Sequence, residues 1–80
     1  MENSISESAR IYKNVRLVRC TIKDHVSIGD DSDVVESVLL EKSELGRRNL
    51  MRNSTMGKGS YTGTNTIIKN TTIGNYCSIG

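Results

Sequence analysis

His25 is the sole histidine of this 80-residue chain, and Asp24 stands directly before it. An imidazole next to a carboxylate is the simplest general-base arrangement, the acid orienting the ring that takes up a proton. Cys20 and Cys77 are the candidate thiol nucleophiles. Arg47 and Arg48, with Lys42 nearby in the chain, could attract a phosphate or another anion. Asp30, Asp31 and Asp33 form an acidic counterpart, and Thr62, Thr64 and Thr66 alternate in a way that would line hydroxyls along one side of a strand. A single histidine cannot supply a three-histidine zinc site, so no metal centre is expected. What each of these groups can do depends on the element that holds it.

The elements follow from an apolar ladder. Read from Ile5 in steps of six, six and five, the chain passes Ile5, Ile11, Leu17, Ile22, Ile28, Val34, Leu39, Leu45, Met51, Met56, Thr62, Ile68, Ile73 and Ile79, all aliphatic or Met except Thr62, with no insertion. Beside it runs a ladder of mostly small or β-branched residues, Ala9, Val15, Cys20, Val26, Ser32, Ser37, Ser43, Asn49, Ser54, Ser60, Thr66, Thr71 and Cys77. Spacings of five and six do not fit a helical period of 3.6, and the frequent Gly, Ser, Thr and Asn suit turns. Short strands with alternating inward and outward side chains satisfy both ladders. Three such strands close a triangular coil of 17 residues, and coils stack at ~4.8 Å. The fold class expected is therefore all-β, a parallel β-helix of about four coils, one domain over residues 1–80 with a polar leader at 1–4.

That geometry assigns the reactive groups. His25 falls at a corner and is read as solvated rather than catalytic. Cys20 and Cys77 lie in different inward columns, cannot reach each other, and are read as small core residues. Asp30 lies under Arg47 and Asp31 under Arg48, so charge pairing of ~0.2–1 kcal/mol is expected there. Thr64 lies over Arg47 and Thr66 over Asn49, so the threonines do not stack into an array. Asn49 points inward, and its expected partners are the hydroxyls of Ser32 and Thr66. Outward apolar residues gather around the column Leu17, Val34, Met51, Ile68, and Val18, Val35, Leu50 and Ile67 are a candidate subunit interface.

Composition limits the classes of function. The net charge is +2 with the charges mixed along the chain, so no block marks a nucleic-acid or membrane-surface binder. No apolar run has the length of a membrane span, and no signal-peptide core is visible, which makes a cytoplasmic location the expectation. The last unit stops at Ile79-Gly80 in mid-strand, and the chain reads as the N-terminal part of a longer solenoid whose final coil would present a bare apolar triangle.

The units Ile28-Gly29, Leu45-Gly46, Met56-Gly57 and Ile73-Gly74 resemble those of the hexapeptide-repeat acyltransferases, and TIGNYCSIG (72–80) is most similar to the branch of xenobiotic and sugar O-acetyltransferases. The resemblance implies a left-handed β-helix, homotrimers, acetyl-CoA as co-substrate in clefts between neighbouring helices, and a small-molecule or sugar hydroxyl as acceptor. It also places the general-base histidine on a loop beyond Gly80. No residue here then takes a catalytic or metal-binding role, no CoA contact is assigned, and the isolated chain is expected not to transfer acetyl groups. The alternative is a non-catalytic β-helix used as a scaffold or oligomerisation module.

Overall fold

The computed structural model describes residues 3–79. Among them, short strands of two or three residues form three parallel sheets. The first sheet stacks β1 (Ser4–Ile5), β4 (Thr21–Ile22), β7 (Val38–Leu39), β10 (Thr55–Met56) and β13 (Thr72–Ile73). The second stacks β2 (Arg10–Ile11), β5 (Ser27–Ile28), β8 (Glu44–Leu45), β11 (Tyr61–Thr62) and β14 (Ser78–Ile79). The third stacks β3 (Arg16–Val18), β6 (Asp33–Val35), β9 (Leu50–Arg52) and β12 (Ile67–Lys69). Each strand pairs in parallel with the strand one coil away, and the register is 17 throughout: Leu17 on Val34, Val34 on Met51, Met51 on Ile68. The chain is thus a left-handed parallel β-helix of about four 17-residue coils.

The core is the axis of this triangle. Val26, Ile28, Val34, Leu39, Met51 and Met56 are fully buried. The stack is less covered at its start than at its finish. Ile5 and Ile11 are 44% and 36% exposed, whereas Ile68 and Ile73 remain buried with Cys77 and Ile79 packed against the core. The bare triangle expected on the final coil is therefore found, among the described residues, on the first. Of the expected leader at 1–4, Met1 and Glu2 lie outside the described residues, as does Gly80. Asn3 and Ser4 already belong to the first coil. Ser4 is in β1, and Asn3 accepts the Cys20 N–H at 2.8 Å and donates to the Leu17 carbonyl at 3.1 Å.

The small inward column is a hydrogen-bonding device as well as a filler. At several corners the side chain one coil earlier accepts the backbone N–H of the small residue, while the Ser43 and Ser60 N–H groups donate instead to the Leu40 and Gly57 carbonyls of their own coil. Ser54 Oγ accepts from Thr71 N–H at 3.0 Å, Ser60 Oγ from Cys77 N–H at 2.9 Å, and Ser37 Oγ from Ser54 N–H at 3.2 Å. Asn49 does the same with a longer reach. Its Oδ1 accepts from Thr66 N–H at 2.8 Å and its Nδ2 donates to the Gly63 carbonyl at 2.9 Å. Its side-chain partners are therefore backbone groups, and the expected bonds to the Ser32 and Thr66 hydroxyls do not form; Ser32 Oγ instead meets the Asn49 N–H at 3.4 Å. The buried amide satisfies two groups that would otherwise be orphaned.

Corners turn on left-handed residues. Asn14, Asp31, Arg48 and Asn65 form one column of positive φ; Arg19, Glu36, Asn53 and Asn70 a second; His25, Lys42, Gly59 and Tyr76 a third. In this conformation the amide points back along the stack. Asp31 N–H reaches the Lys13 carbonyl, Glu36 N–H that of Val18, and Tyr76 N–H that of Lys58, at 2.9, 2.7 and 2.8 Å. Each such bond offsets part of the ~1–2 kcal/mol that a residue with a Cβ incurs there. Tyr76, with φ of 57° and 80% exposure, has little packing to set against that penalty. Tyr76→Asn is expected to stabilise the protein by about 1 kcal/mol, read as a higher denaturant midpoint with an unchanged slope; a lower midpoint would show that the ring packs usefully over Gly59.

Candidate functional site

The charged corners do not pair as their stacking suggests. Among the described residues the ion pairs are Arg19–Glu36 at 2.7 Å and Arg16–Asp33 at 3.6 Å, both between residues 17 apart and exposed except for the half-buried Asp33. Asp30 turns its carboxylate onto the Lys13 N–H at 3.1 Å, and Asp31 and Arg48 are consumed as left-handed corner residues. No pair forms between Asp30 and Arg47 or between Asp31 and Arg48. Lys42 stands at the preceding corner, across β8 from Arg47 and Arg48. The guanidinium groups of Arg47 and Arg48 are therefore exposed and without an ion-pair partner among the described residues.

Asp24 and His25 are neighbours in sequence but not a catalytic pair. Asp24 accepts a short hydrogen bond from Ser6 Oγ, while His25 is an exposed left-handed corner whose backbone N–H donates to Ser8 Oγ at 3.0 Å. Cys20 is buried, its Sγ within 3.0 Å of the Val34 carbonyl, and Cys77 is half-buried; both are free thiols. Thr62 is an inward core residue, so the Thr run is split between the interior and the surface. Among the described residues, no three His, Cys, Asp or Glu side chains converge as a metal site.

The recesses lie on the outer side of the second sheet. One, of about 320 Å³, is lined by Arg10, Tyr12, Ser27, Gly29, Glu44 and Gly46. A second, of about 410 Å³, continues from Arg10 and Ser27 to Ser8 and His25. The trough exists because the outward positions above Tyr12 are glycines. Backbones there approach so closely that a Cβ on Gly46 would sit 2.2 Å from the Gly63 carbonyl oxygen. The result is a bare peptide floor, walled by a cation (Arg10), a carboxylate (Glu44), the Ser27 hydroxyl and the Tyr12 ring. Arg47 follows Gly46 at its rim. The set suits a polar ligand with several hydroxyls and an anionic appendage. The sequence contained a signal for it, the recurrent Gly after the aliphatic residue, but not which of the three faces would be hollow.

The apolar outward set is divided by the register. Val18 and Val35 share one column, continued upward by Arg52 and Lys69; Leu50 and Ile67 share the other, continued downward by Asp33 and Arg16. Val18, Val35, Leu50 and Ile67 thus make a diagonal step and not the single stripe expected.

The architecture, a left-handed β-helix built of hexapeptide units in register, defines the class of fold to which this chain belongs. Solved structures similar to it include a variant of perosamine N-acetyltransferase from Caulobacter crescentus in complex with CoA and GDP-perosamine, 19% identical, covering 98% of this chain and 48% of that one at a TM-score of 0.47. Another is PerB from Caulobacter crescentus, also in complex with CoA and GDP-perosamine, 18% identical over 98% of this chain and 54% of that one, TM-score 0.40. The chain spans about half the length of these proteins. No family model matches the sequence, and no curated protein does.

Proposed function

We propose that these coils are part of an acetyl-CoA-dependent acetyltransferase that acylates a hydroxyl of a small-molecule or sugar acceptor. The observation that carries this reading is the unbroken stack of hexapeptide units running into the segment 72–80. The trough on the second sheet is the proposed acceptor surface, with Arg47 and Arg48 at its rim taking up the phosphates of CoA. In the reaction, the acceptor oxygen attacks the thioester carbonyl, a C–O bond forms, the C–S bond breaks, and the hydroxyl proton passes by way of a base to the CoA thiolate. His25 lines the far end of the adjoining recess but has no carboxylate to orient its ring, so the base is proposed to lie outside the described coils.

Copies of the chain are proposed to assemble as homotrimers. The exposed Tyr12 and Tyr61 beside the trough favour the second sheet as one side of the contact, a different face of the neighbouring copy meeting it in a heterologous three-fold ring.

The test is a thiol-release assay with acetyl-CoA and a panel of hydroxyl- and amine-bearing sugars, with the product identified by mass. Acceptor-dependent release and an O-acetylated product are expected. Arg47→Ala with Arg48→Ala is expected to weaken CoA binding about tenfold or more, each charge-assisted hydrogen bond being worth roughly 1.5–3 kcal/mol at most and less where exposed. Absence of CoA binding by calorimetry, with the fold intact by circular dichroism, would leave the scaffold reading.

A further inference from the structure

Charges of both signs alternate over the first coils, but along the whole chain, and so along the stack, they are segregated. From Leu45 onward the chain has Arg47, Arg48, Arg52, Lys58 and Lys69 and no carboxylate; every Asp and Glu lies at Glu44 or earlier. In a solenoid, position along the chain is height along the axis, so this is a spatial segregation. Both ion pairs among the described residues, Arg16–Asp33 and Arg19–Glu36, lie in the lower coils.

The upper half of the third sheet concentrates the effect. Arg52 and Lys69 are direct register partners. Like charges stacked at the inter-strand spacing repel, and no carboxylate on these coils relieves them. Beside them, between that column and the Arg47–Arg48 corner, stand a second pair of register partners, half-buried Leu50 and Ile67, the latter 67% exposed. The recesses described above are on a different sheet. The cations here flank the aliphatic pair and do not converge on a point. A discrete anion would need convergence, and a nucleic acid would leave Leu50 and Ile67 without a use.

We infer that this face docks on an anionic lipid bilayer, with Arg52 and Lys69 among the headgroup phosphates and carboxylates and the tips of Leu50 and Ile67 at the acyl boundary. The flat sheet matches a flat, diffusely charged surface with an apolar layer just beneath it. The contact is peripheral, since no helix among the described residues is long and apolar enough to cross a membrane. It is independent of the acyl-transfer reading and uses none of the residues that line the trough.

The measurement is co-sedimentation of the protein with vesicles at low ionic strength. Pelleting is expected with phosphatidylcholine vesicles containing phosphatidylserine, not with phosphatidylcholine alone, and is expected to reverse on adding salt. Each cation near an anionic surface contributes roughly fivefold in affinity, so Arg52→Gln with Lys69→Gln should weaken binding about 25-fold. Ile67→Ser should weaken it further without changing the charge, and circular dichroism of each variant checks that the coils remain. Equal pelleting with neutral vesicles, none with anionic ones, or indifference to the double variant overturns the inference. So does tighter binding to polyglutamate with no effect of Ile67→Ser, which would point to an acidic protein. Conversion of an oligomer to monomers by Ile67→Lys in sedimentation velocity would make the face a subunit contact and likewise overturn it.

Discussion

Asn49→Ala is expected to be the most damaging single truncation of a polar side chain in this protein, lowering stability by about 2–6 kcal/mol. The amide is 2% exposed and serves two backbone groups, accepting from Thr66 N–H and donating to the Gly63 carbonyl. Removing it leaves both groups, which belong to half-buried residues, without a side-chain partner, each at about 1–3 kcal/mol. Against a typical domain stability of about 5–15 kcal/mol, the loss approaches global unfolding. Asn49→Ser separates this account from a simple volume effect. A serine is smaller, yet the hydroxyls of Ser54 and Ser60 perform the same service for Thr71 and Cys77, so it should recover the bond to Thr66 and lose only that to Gly63. Denaturant midpoints in the order wild type, Asn49→Ser, Asn49→Ala are expected; a serine variant no better than alanine would remove the hydrogen-bonding explanation.

Met51→Ala should cost about 2–5 kcal/mol, whereas Ile5→Ala should cost about 1 kcal/mol or less. Both residues occupy the aliphatic ladder. Met51 is fully buried with Val34 below it and Ile68 above, so truncation leaves a cavity that rigid coils on both sides cannot close. Ile5, 44% exposed, has Ile22 on one side only and gives up contacts already shared with water. Because each coil touches only its neighbours, the loss at Met51 falls on two interfaces at once. Equilibrium unfolding of the two variants checks the contrast, and equal losses would mean that the end coil is covered in solution in a way the structure does not contain.

The gap between these variants illustrates what the stacked architecture does for function. Its rigid axis holds three faces at constant spacing, one of them hollowed by Gly29 and Gly46 and another charged by Arg52 and Lys69. A ligand or surface that binds a face meets a preformed array, so little ordering cost is incurred on binding.

The sequence by itself determined the period, the three strands per coil and the identity of every inward column. It could do so because residues 17 apart are in contact, which makes the one-dimensional spacing of Leu17, Val34, Met51 and Ile68 a direct image of their packing. Only the tertiary structure decided the corners. Arg19, Glu36 and Tyr76 have no local preference for positive φ, yet each adopts it because its amide finds a carbonyl 18 residues earlier or because its column does so above and below. It also decided which charges pair, Arg16 with Asp33 and not Asp30 with Arg47, since that depends on the direction of each side chain and not on height alone. The trough and the cationic face were legible only in part for the same reason: the glycines and the run of cations stand in the sequence, but not the face each would form. Each is assembled from positions a coil apart, and whether such a column is empty, paired or repulsive is settled by contacts that no local stretch of sequence contains.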